Sequence, residues 1–587
     1  MKASDYIALY LESKKISFCF EVIGGMITHI VDSISTKTNI KLISCHHEQT
    51  AGFAAEGLSR VSDLPGIALA TSGPGATNLI TSIASCFFDS TPTIFITGQV
   101  NTFELSKGKG VRQLGFQETD IIALTKPITK FATQVIDAEN LPEVLDKAFQ
   151  ISISGRKGPC LIDIPMNIQS QIIKKSFKKF LINKVCQPNY KSINSSDNTK
   201  SFLFNLLEAV RESKKPLVLL GGGASSNENR EFVKEIVQNL SIPVVLSLMG
   251  VDLLPENNNL RTGFIGSYGN RWANIILGDC DLLIVVGSRL DIRQTGSDIK
   301  SFCEGKKIWQ IDIDNKEIGL RVKPDFALNA NIFELNFVLK KIIHENPQLN
   351  DYKNKHELWI KRIKDLKCKY PAIKEYKENN KEINPIKYLK LFSQMNNKDT
   401  IYVTDVGQHQ MWAAQSISFG ENDRFITSGG MGAMGFGLPA SIGSSFNSEN
   451  KEVVLITGDG SFQVNIQELQ TIKRNNLKIK IILFNNNCHG MVRQFQESYF
   501  DNNLQSTLKG YSAPNFSKIA EAYNLESEFI ENEAQIQQSI NKLINTDESR
   551  LVEIQISSFS KVYPKLAFGR RFGEMEPDVK PSSMEST

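Results

Sequence analysis

The sequence predicts an α/β protein built as three doubly wound parallel-sheet domains. Two observations carry that prediction. The first is a recurrence of short runs rich in Val, Ile and Leu that end in Gly, Asp or Asn. They are IALATSG (67–73), TIFITGQ (93–99), CLIDIP (160–165), PLVLLGGG (216–223), DLLIVVGS (281–288), KIWQIDID (307–314), TIYVTDVG (400–407), EVVLITGDG (452–460) and KIKIILFNNN (478–487). Such runs read as buried parallel strands whose carboxyl ends carry loops. The second is a pair of polar stretches that break the rhythm. Residues 186–200 (CQPNYKSINSSDNTK) lack apolar periodicity and read as a linker. Residues 345–385 are crowded with Lys, Glu and Asn around Leu358, Ile363 and Leu366, and read as one or two solvated bridging helices.

Cutting at both stretches gives domains 1–185, 195–345 and 380–560, with an extension over 561–587. The end of that extension, from about 574 (EMEPDVKPSSMEST), reads as a tail or lid that need not be ordered. A chain of 587 residues exceeds the ~250–300 residues at which single cores stop growing. No fixed-period repeat is evident within the domains. The start, MKASDYIALYLESKK, carries Asp5 and Glu12, and predicts an amphipathic helix rather than a signal peptide.

Composition narrows the function classes. Residues are 41% hydrophobic and 22% charged, with 67 basic against 63 acidic side chains. That near-balance argues against a dedicated nucleic-acid binder. No run of ~20 apolar residues exists, so no membrane span is expected. The nine cysteines form no CxxC pair, which argues against a zinc or thioredoxin-like site and fits a reducing, cytoplasmic compartment.

Chemistry enters with Gly458-Asp459-Gly460-Ser461 and with Asn485-Asn486, after 24 residues that intervene between Gly460 and Asn485. Both follow apolar strands, so two strand ends present an aspartate and an amide. Oxygen ligands of this kind suit Mg2+, which also recruits phosphate oxygens. The glycines let backbone approach a diphosphate, and a helix through SFQVNIQELQTIKR would offer its first amides. Near the other end, the strand IKLIS leads into HHEQTAGFAAEG, with Glu48 at the junction. Alone, Glu48 is a first-turn carboxylate favoured by the helix dipole.

The pattern around Asp459 and Asn486 resembles the diphosphate motif of the thiamin diphosphate-dependent enzymes. In company with Glu48 it resembles their acetolactate synthase group, and the likeness runs through most of residues 1–560. It includes TSGPGATN (71–78), DSTPTIFITGQV (89–100), FQETD (116–120), GPCLIDIP (158–165), VGQHQMWAAQ (406–415), TSGGMGAMGFGLPA (427–440), GDGSFQVNIQEL (458–469) and NNNCHGMVRQFQ (485–496). The resemblance implies a pyrimidine-binding N-terminal domain, a central domain and a diphosphate-binding C-terminal domain. It implies that Glu48 holds N1′ of the aminopyrimidine, favouring the tautomer that removes the C2 proton. Asp459, Asn486 and the carbonyl of Cys488 would ligate Mg2+. Gln408 and His409 would contact the diphosphate, with Gly458, Gly460, Ser461 and Met491 lining the cofactor. Met434 would prop the cofactor, and the Gly432 backbone would accept from N4′. Gln117 and Phe116 would face the reacting centre, Gln117 orienting the acceptor carbonyl. His47 reads equally as a capping residue. The active unit would be a homodimer or homotetramer with its site at the dimer interface, and a small regulatory subunit is compatible with this.

The central domain resembles the group's flavin-binding domain. Gly287-Ser288-Arg289-Leu290-Asp291-Ile292-Arg293 is similar to its GxRxDxR turn. Asp312 in IDID, the 266–269 segment GSYG, and Gly222 in GGG would be further contacts. FAD, without net redox, is therefore expected. The opposing reading is a domain that keeps these turns for packing alone.

Three residues or segments depart from the pattern. Met166 stands where a channel-lining lysine is usual. Phe495 replaces the tryptophan that favours 2-ketobutyrate as acceptor. The ending KVYPKLAFGRRFGEMEP is similar to that of carboligases of unusual-sugar biosynthesis. The resemblance thus implies a transferase that decarboxylates pyruvate and joins the two-carbon hydroxyethyl unit to a second pyruvate, giving 2-acetolactate, as in branched-chain amino acid biosynthesis. The alternatives are a nucleotide-linked keto-sugar as acceptor, or a pyruvate oxidase or decarboxylase.

Overall fold

The computed structural model describes residues 1–106, 108–174, 197–350, 355–376, 382–448 and 450–582. The chain forms two compact units. One comprises Met1–Ser192, Ser428–Glu449 and Phe462–Ile479; the other comprises Ile193–Thr427, Asn450–Ser461 and Lys480–Thr587. Among the described residues the strands form three six-stranded parallel sheets and one small hairpin.

The first unit holds β1 (Phe18–Val22), β2 (Lys41–Ser44), β3 (Gly66–Ala70), β4 (Thr93–Gln99), β5 (Phe131–Gln134) and β6 (Cys160–Pro165), in the order β2-β1-β3-β4-β6-β5. The inner strands β3 and β4 are buried at every position, as their unbroken apolar runs require. Edge strand β5 is only half-buried throughout. Each fully buried Ile, Leu or Phe in this core contributes about 1.5–3 kcal/mol. The helix Glu48–Val61 is buried from Thr50 to Ser59, and it can be because it is packed on both sides. Ala51, Ala54, Ala55 and Leu58 join Phe20, Ala68 and Phe95 in one cluster. Its small residues also let the buried helix Gly437–Ser445 lie close against it.

The second unit holds two sheets. Strands β7 (Pro216–Leu220), β8 (Val244–Leu246), β9 (Arg261–Phe264), β10 (Leu282–Val286), β11 (Lys307–Asp312) and β12 (Phe326–Asn329) lie in the order β12-β11-β10-β7-β8-β9. The order reverses between β7 and β10, which makes the crevice beyond their carboxyl ends the expected ligand position. Strands β13 (Thr400–Thr404), β14 (Arg424–Ile426), β15 (Glu452–Gly458), β16 (Ile479–Asn485), β17 (Glu526–Ile530) and β18 (Arg550–Gln555) lie in the order β14-β13-β15-β16-β18-β17. That is the order of the first sheet again. The two sheets share a topology without sharing a residue-level period, which is why no repeat is visible in the sequence.

Three expectations need correction. The linker read over 186–200 overlaps the helix Asp197–Glu212, whose Phe202, Leu203, Leu206, Leu207 and Val210 are buried. Its polar first turn disguised that face; residues 186–196 lie outside the described residues. In the bridge, the helix Glu357–Lys369 buries Trp359 and Ile363, while Leu358 is 84% exposed. The Trp359 indole donates to the Pro216 carbonyl (3.1 Å), so this helix belongs to the central sheet. The tail is ordered as far as 582. Strands β19 (Lys565–Leu566) and β20 (Met575–Glu576) pair antiparallel, and Met575 and Glu576 are buried. Residues 583–587 lie outside the described residues. The N-terminal helix is present as Ala3–Ser13, its Tyr6, Ile7, Tyr10 and Leu11 buried. No helix among the described residues is long and apolar enough to cross a membrane.

Candidate active site

The second unit carries the aspartate–amide pair. Strands β13 and β15 are neighbours, and Ser461 Oγ ties their ends by donating to the Val406 carbonyl (2.6 Å). The helix expected after this strand starts two residues earlier than SFQVNIQELQTIKR, at Asp459. It is also broken into Asp459–Val464, a 3-10 turn Ile466–Glu468, and Leu469–Arg474. Asp459 therefore sits within the first helical turn. Its Oδ2 accepts from the Cys488 N–H (3.2 Å) and the Tyr511 hydroxyl (3.0 Å). Asn486 Oδ1 accepts from the same Cys488 N–H (3.1 Å), while its Nδ2 donates to Gln408 Oε1 (3.0 Å). Gln408 is held in turn by donating to the Ser560 carbonyl (2.7 Å). Two acceptor oxygens thus crowd one donor. Burial pushes the Asp459 carboxyl up to about 6, against hydrogen bonds from Tyr511 and Cys488 that oppose the rise.

A divalent cation fits this donor set. One carboxylate, one amide oxygen and the nearby Cys488 carbonyl are hard oxygen ligands of the kind Mg2+ takes alongside phosphate and water. Among the described residues there is no cluster of three His, Cys, Asp or Glu side chains that would suit a softer metal. A diphosphate fits too. His409 is buried, its Nε2 has no hydrogen-bond partner, and burial pushes its imidazole down to about 3, so the ring is neutral. Such an orphaned group costs free energy until a ligand satisfies it. A side chain at Gly458 would strike the His409 ring (2.8 Å), and one at Gly460 would strike the His489 ring (2.8 Å). Met491 is partly buried against the core that holds Trp412 and Phe484.

The first unit carries Glu48, the first residue of its helix. His47 is the N-cap, its Nδ1 accepting from the Gln49 N–H (3.1 Å). Asn78 Nδ2 donates to Glu48 Oε2 (2.8 Å), and a Cβ at Gly75 would strike Thr71 (2.7 Å) and crowd Glu48 Oε1 (3.3 Å). In the same unit Gly432 has φ +66° with open space around it, and Met434 is 37% exposed. Asn465 Nδ2 bridges Gln49 Oε1 (3.1 Å) and the Gly435 carbonyl (2.7 Å), linking the first turn beside Glu48 to the Met434 loop. Gln117 has φ +65°, an uncommon conformation for a residue other than glycine. Phe116 beside it is 79% exposed, and Met166 opens the short helix Met166–Ser170 half-buried.

The central turns gather at the switch point. Gly221 N donates to the Val286 carbonyl (2.9 Å) and Gly223 N to the Gly287 carbonyl (2.9 Å), so the loops after β7 and β10 cross in contact. Gly222 lies between them. Asp291 caps the following turn by accepting from the Arg293 and Gln294 N–H groups, and pairs with exposed Arg289 (3.3 Å). Asp312 ends β11 and accepts from the Asp314 N–H (2.9 Å). At the same edge Ser247 Oγ is buried without a partner. Two exposed guanidiniums, at Arg289 and Arg293, beside glycine loops at a switch crevice fit an anionic dinucleotide. Phe495 is 38% exposed and packs at a tilt against Tyr499 (4.8 Å between centroids), which meets Phe568 of the tail edge to face (6.4 Å).

Residue by residue, the second unit brings together Asp459, Asn486, Cys488, Gln408, His409, Gly458, Gly460 and Ser461, as expected. Sequence reasoning missed Tyr511, Asn78 and Asn465. Asn78 lies inside the TSGPGATN motif, which was its one available signal. Asn465 likewise lies inside the GDGSFQVNIQEL motif, whereas Tyr511 comes from a segment with no local pattern.

Comparison with known proteins agrees with this geometry. The family model "Thiamine pyrophosphate enzyme, N-terminal TPP binding domain" matches residues 1–124, the central-domain model 203–335, and the C-terminal TPP binding domain model 405–554. The chain is 34% identical over 576 residues to the acetolactate synthase isozyme 1 large subunit of Escherichia coli, covering 97% of each chain. It is 34% identical over 572 residues to the acetolactate synthase large subunit of Lactococcus lactis, covering 97% of this chain and 95% of the relative. It is also 34% identical over 585 residues to the chloroplastic acetolactate synthase of Arabidopsis thaliana, covering 98% of this chain and 84% of the relative.

Proposed function

Because the chain belongs to the thiamine pyrophosphate enzyme family, among relatives of acetolactate synthase large subunits, we propose that it is an acetolactate synthase-like carboligase. It decarboxylates pyruvate and transfers the remaining two-carbon unit to a second 2-keto acid, giving 2-acetolactate. The observation that carries this reading is the convergence of Asp459 and Asn486 on the Cys488 N–H near the buried His409, whose Nε2 has no hydrogen-bond partner. That arrangement suits a metal-bound diphosphate.

When bound, thiamin diphosphate supplies a nucleophilic carbon and a place for the electron pair left by decarboxylation. The chain's own residues bind and orient it. Asp459, Asn486 and the Cys488 carbonyl would hold Mg2+, and the buried His409 ring would border the diphosphate. Glu48 accepts a hydrogen bond at N1′ of the aminopyrimidine and so controls the proton at its exocyclic nitrogen. Asn78 keeps the Glu48 carboxylate in place. The Gly432 carbonyl accepts from that exocyclic nitrogen, and Met434 supports the ring. Gln117 orients the acceptor carbonyl, with Phe116, Met166 and Phe495 shaping the channel.

We assign domains to 1–185, 195–345 and 380–560, followed by the 561–587 extension. FAD is assigned to Arg289, Asp291, Arg293, Asp312 and Gly222 without net redox. Its test is the absorbance of purified protein in the flavin band; a colourless, flavin-free, active protein would remove it. The working form is a homodimer or homotetramer in the cytoplasm, with Glu48 of one chain serving the diphosphate site of another. The relatives' "large subunit" names support a small regulatory partner.

A second reading keeps the donor and changes the acceptor to a nucleotide-linked keto-sugar. Met166 favours it, because an uncharged channel attracts a second carboxylate less. Pyruvate consumption with and without a keto-sugar separates the two. Turnover on pyruvate alone, with acetolactate formed, supports the first reading; consumption only when the sugar is added supports the second.

A further inference from the structure

Asp89 follows the helix Ile80–Phe88, at a turn where Ser90 takes φ +58°. Its side chain is 2% exposed, and its carboxylate faces backbone. The Gly430 N–H donates to Oδ1 (2.6 Å) and the Gly429 N–H to Oδ2 (3.1 Å). Arg60 Nη2 donates to that Oδ2 (2.8 Å) and to Glu56 Oε1 (2.5 Å). The Arg60 guanidinium also lies 5.6 Å from the centroid of the Phe436 ring. One buried cluster therefore grips the chain at 429–430 and again at 436. Between these grips lie Gly432 and Met434. A Cβ at Gly430 would come within 2.8 Å of Asp89 Oδ1 and 2.9 Å of Phe88 Cβ, so the segment runs in contact with this turn. Its ends are tied as well: the Ala433 N–H donates to Ser428 Oγ (3.2 Å).

A buried cluster of two carboxylates and one guanidinium is weak evidence of added stability, because desolvation offsets the attraction. Its value here is geometric. Two successive N–H groups bound to one carboxylate fix two peptide planes immediately before Gly432. Backbone that presents a carbonyl to a ligand works best when it is set before the ligand arrives.

We infer that Asp89, oriented by Arg60 and Glu56, is a positioning residue that presets the Ser428–Met434 loop for cofactor binding. The inference rests on the roles proposed above for Gly432 and Met434. Asp89 touches loop backbone and the Arg60 side chain, and is not a catalytic residue.

The test uses the full-length protein without cofactor, and two variants. Asp89→Asn keeps the shape and loses an acceptor. Gly430→Ala disturbs the same hydrogen bond and leaves the ion cluster in place. Hydrogen exchange is read on peptides spanning 428–436, and thiamin diphosphate affinity with Mg2+ is read by intrinsic fluorescence. Both variants should exchange faster at 429–430 and bind cofactor about tenfold more weakly, the size expected for losing a hydrogen bond to a charged group. Wild-type exchange and wild-type affinity in either folded variant would overturn the inference. A wild-type chain that binds no thiamin diphosphate would instead overturn the family reading on which it rests.

Discussion

At the scale of single residues, the account assigns proton control to Glu48 and diphosphate binding to a neutral histidine. Glu48→Gln keeps the size of the side chain and its bond to Asn78, while removing the carboxylate that N1′ requires. It should lower kcat by about 10²–10⁴-fold with an unchanged circular dichroism spectrum. Wild-type turnover in that variant would remove Glu48 from the mechanism. His409 makes a separate prediction about pH. Its folded pKa lies near 3 because burial disfavours the cation, whereas an unfolded histidine titrates near 6.5. Below pH ~6.5 the unfolded chain takes up a proton that the folded chain refuses, so stability falls as pH drops toward 3. Replacing His409 with Asn should flatten that decline by about 1.4 kcal/mol per pH unit, seen as melting curves that converge between pH 7 and 5. Parallel curves would show that His409 takes a proton in the folded state. Glu48, Asp459 and Asn486 were legible in the sequence because each sits next to an apolar strand in a recognisable spacing. Asp89, Tyr511 and Asn465 were not. Each acts on a partner from another turn, and no local spacing records a contact across 52 to 416 residues.

At the scale of elements, the nine quoted apolar runs were legible and all became strands. The outer strands were not, because edge positions such as 131–134 are only half-buried and lose the apolar signal. The bridging stretch was read as solvated helices, and its charged background concealed the face that buries Trp359 and Ile363. The tail was harder still, since its order comes from partners rather than from its own pattern. The Leu566 N–H donates to the Ser267 carbonyl (2.8 Å), and the Gly569 N–H to Ser297 Oγ (2.9 Å). Phe572 packs edge to face on buried Phe302 (5.2 Å). The hairpin thus straps the edge of the turn that carries Arg289 and Arg293. Phe572→Ala should cost about 1–3 kcal/mol and loosen flavin retention before it alters cofactor-free melting of the first unit. Unchanged melting and unchanged flavin content would mean that the strap is decorative.

At the scale of the whole molecule, three parallel sheets and a full-length match place the chain in its family, and the proposed function has the site completed by a second copy. If Glu48 and Asp459 serve one site from different chains, mixing inactive Glu48→Gln and Asp459→Ala proteins and letting them exchange subunits should restore about a quarter of wild-type activity. That is the yield when half the dimers are mixed and each mixed dimer has one intact site of two. Continued inactivity after proven exchange would mean that each chain completes its own site. The near-balanced charge of 67 basic and 63 acidic residues fits the proposed design, in which metal, local arginines and backbone amides would hold the anionic cofactors without a basic surface. The most direct measurement of the central claim follows carbon. Purified protein with thiamin diphosphate, Mg2+ and FAD is given pyruvate labelled with 13C at its keto carbon. Carboligation joins two labelled carbons, so acetolactate should show directly coupled 13C signals at C2 and C3, and these should vanish with a chelator. Labelled acetaldehyde or acetate without coupled signals, or unconsumed pyruvate, would contradict it.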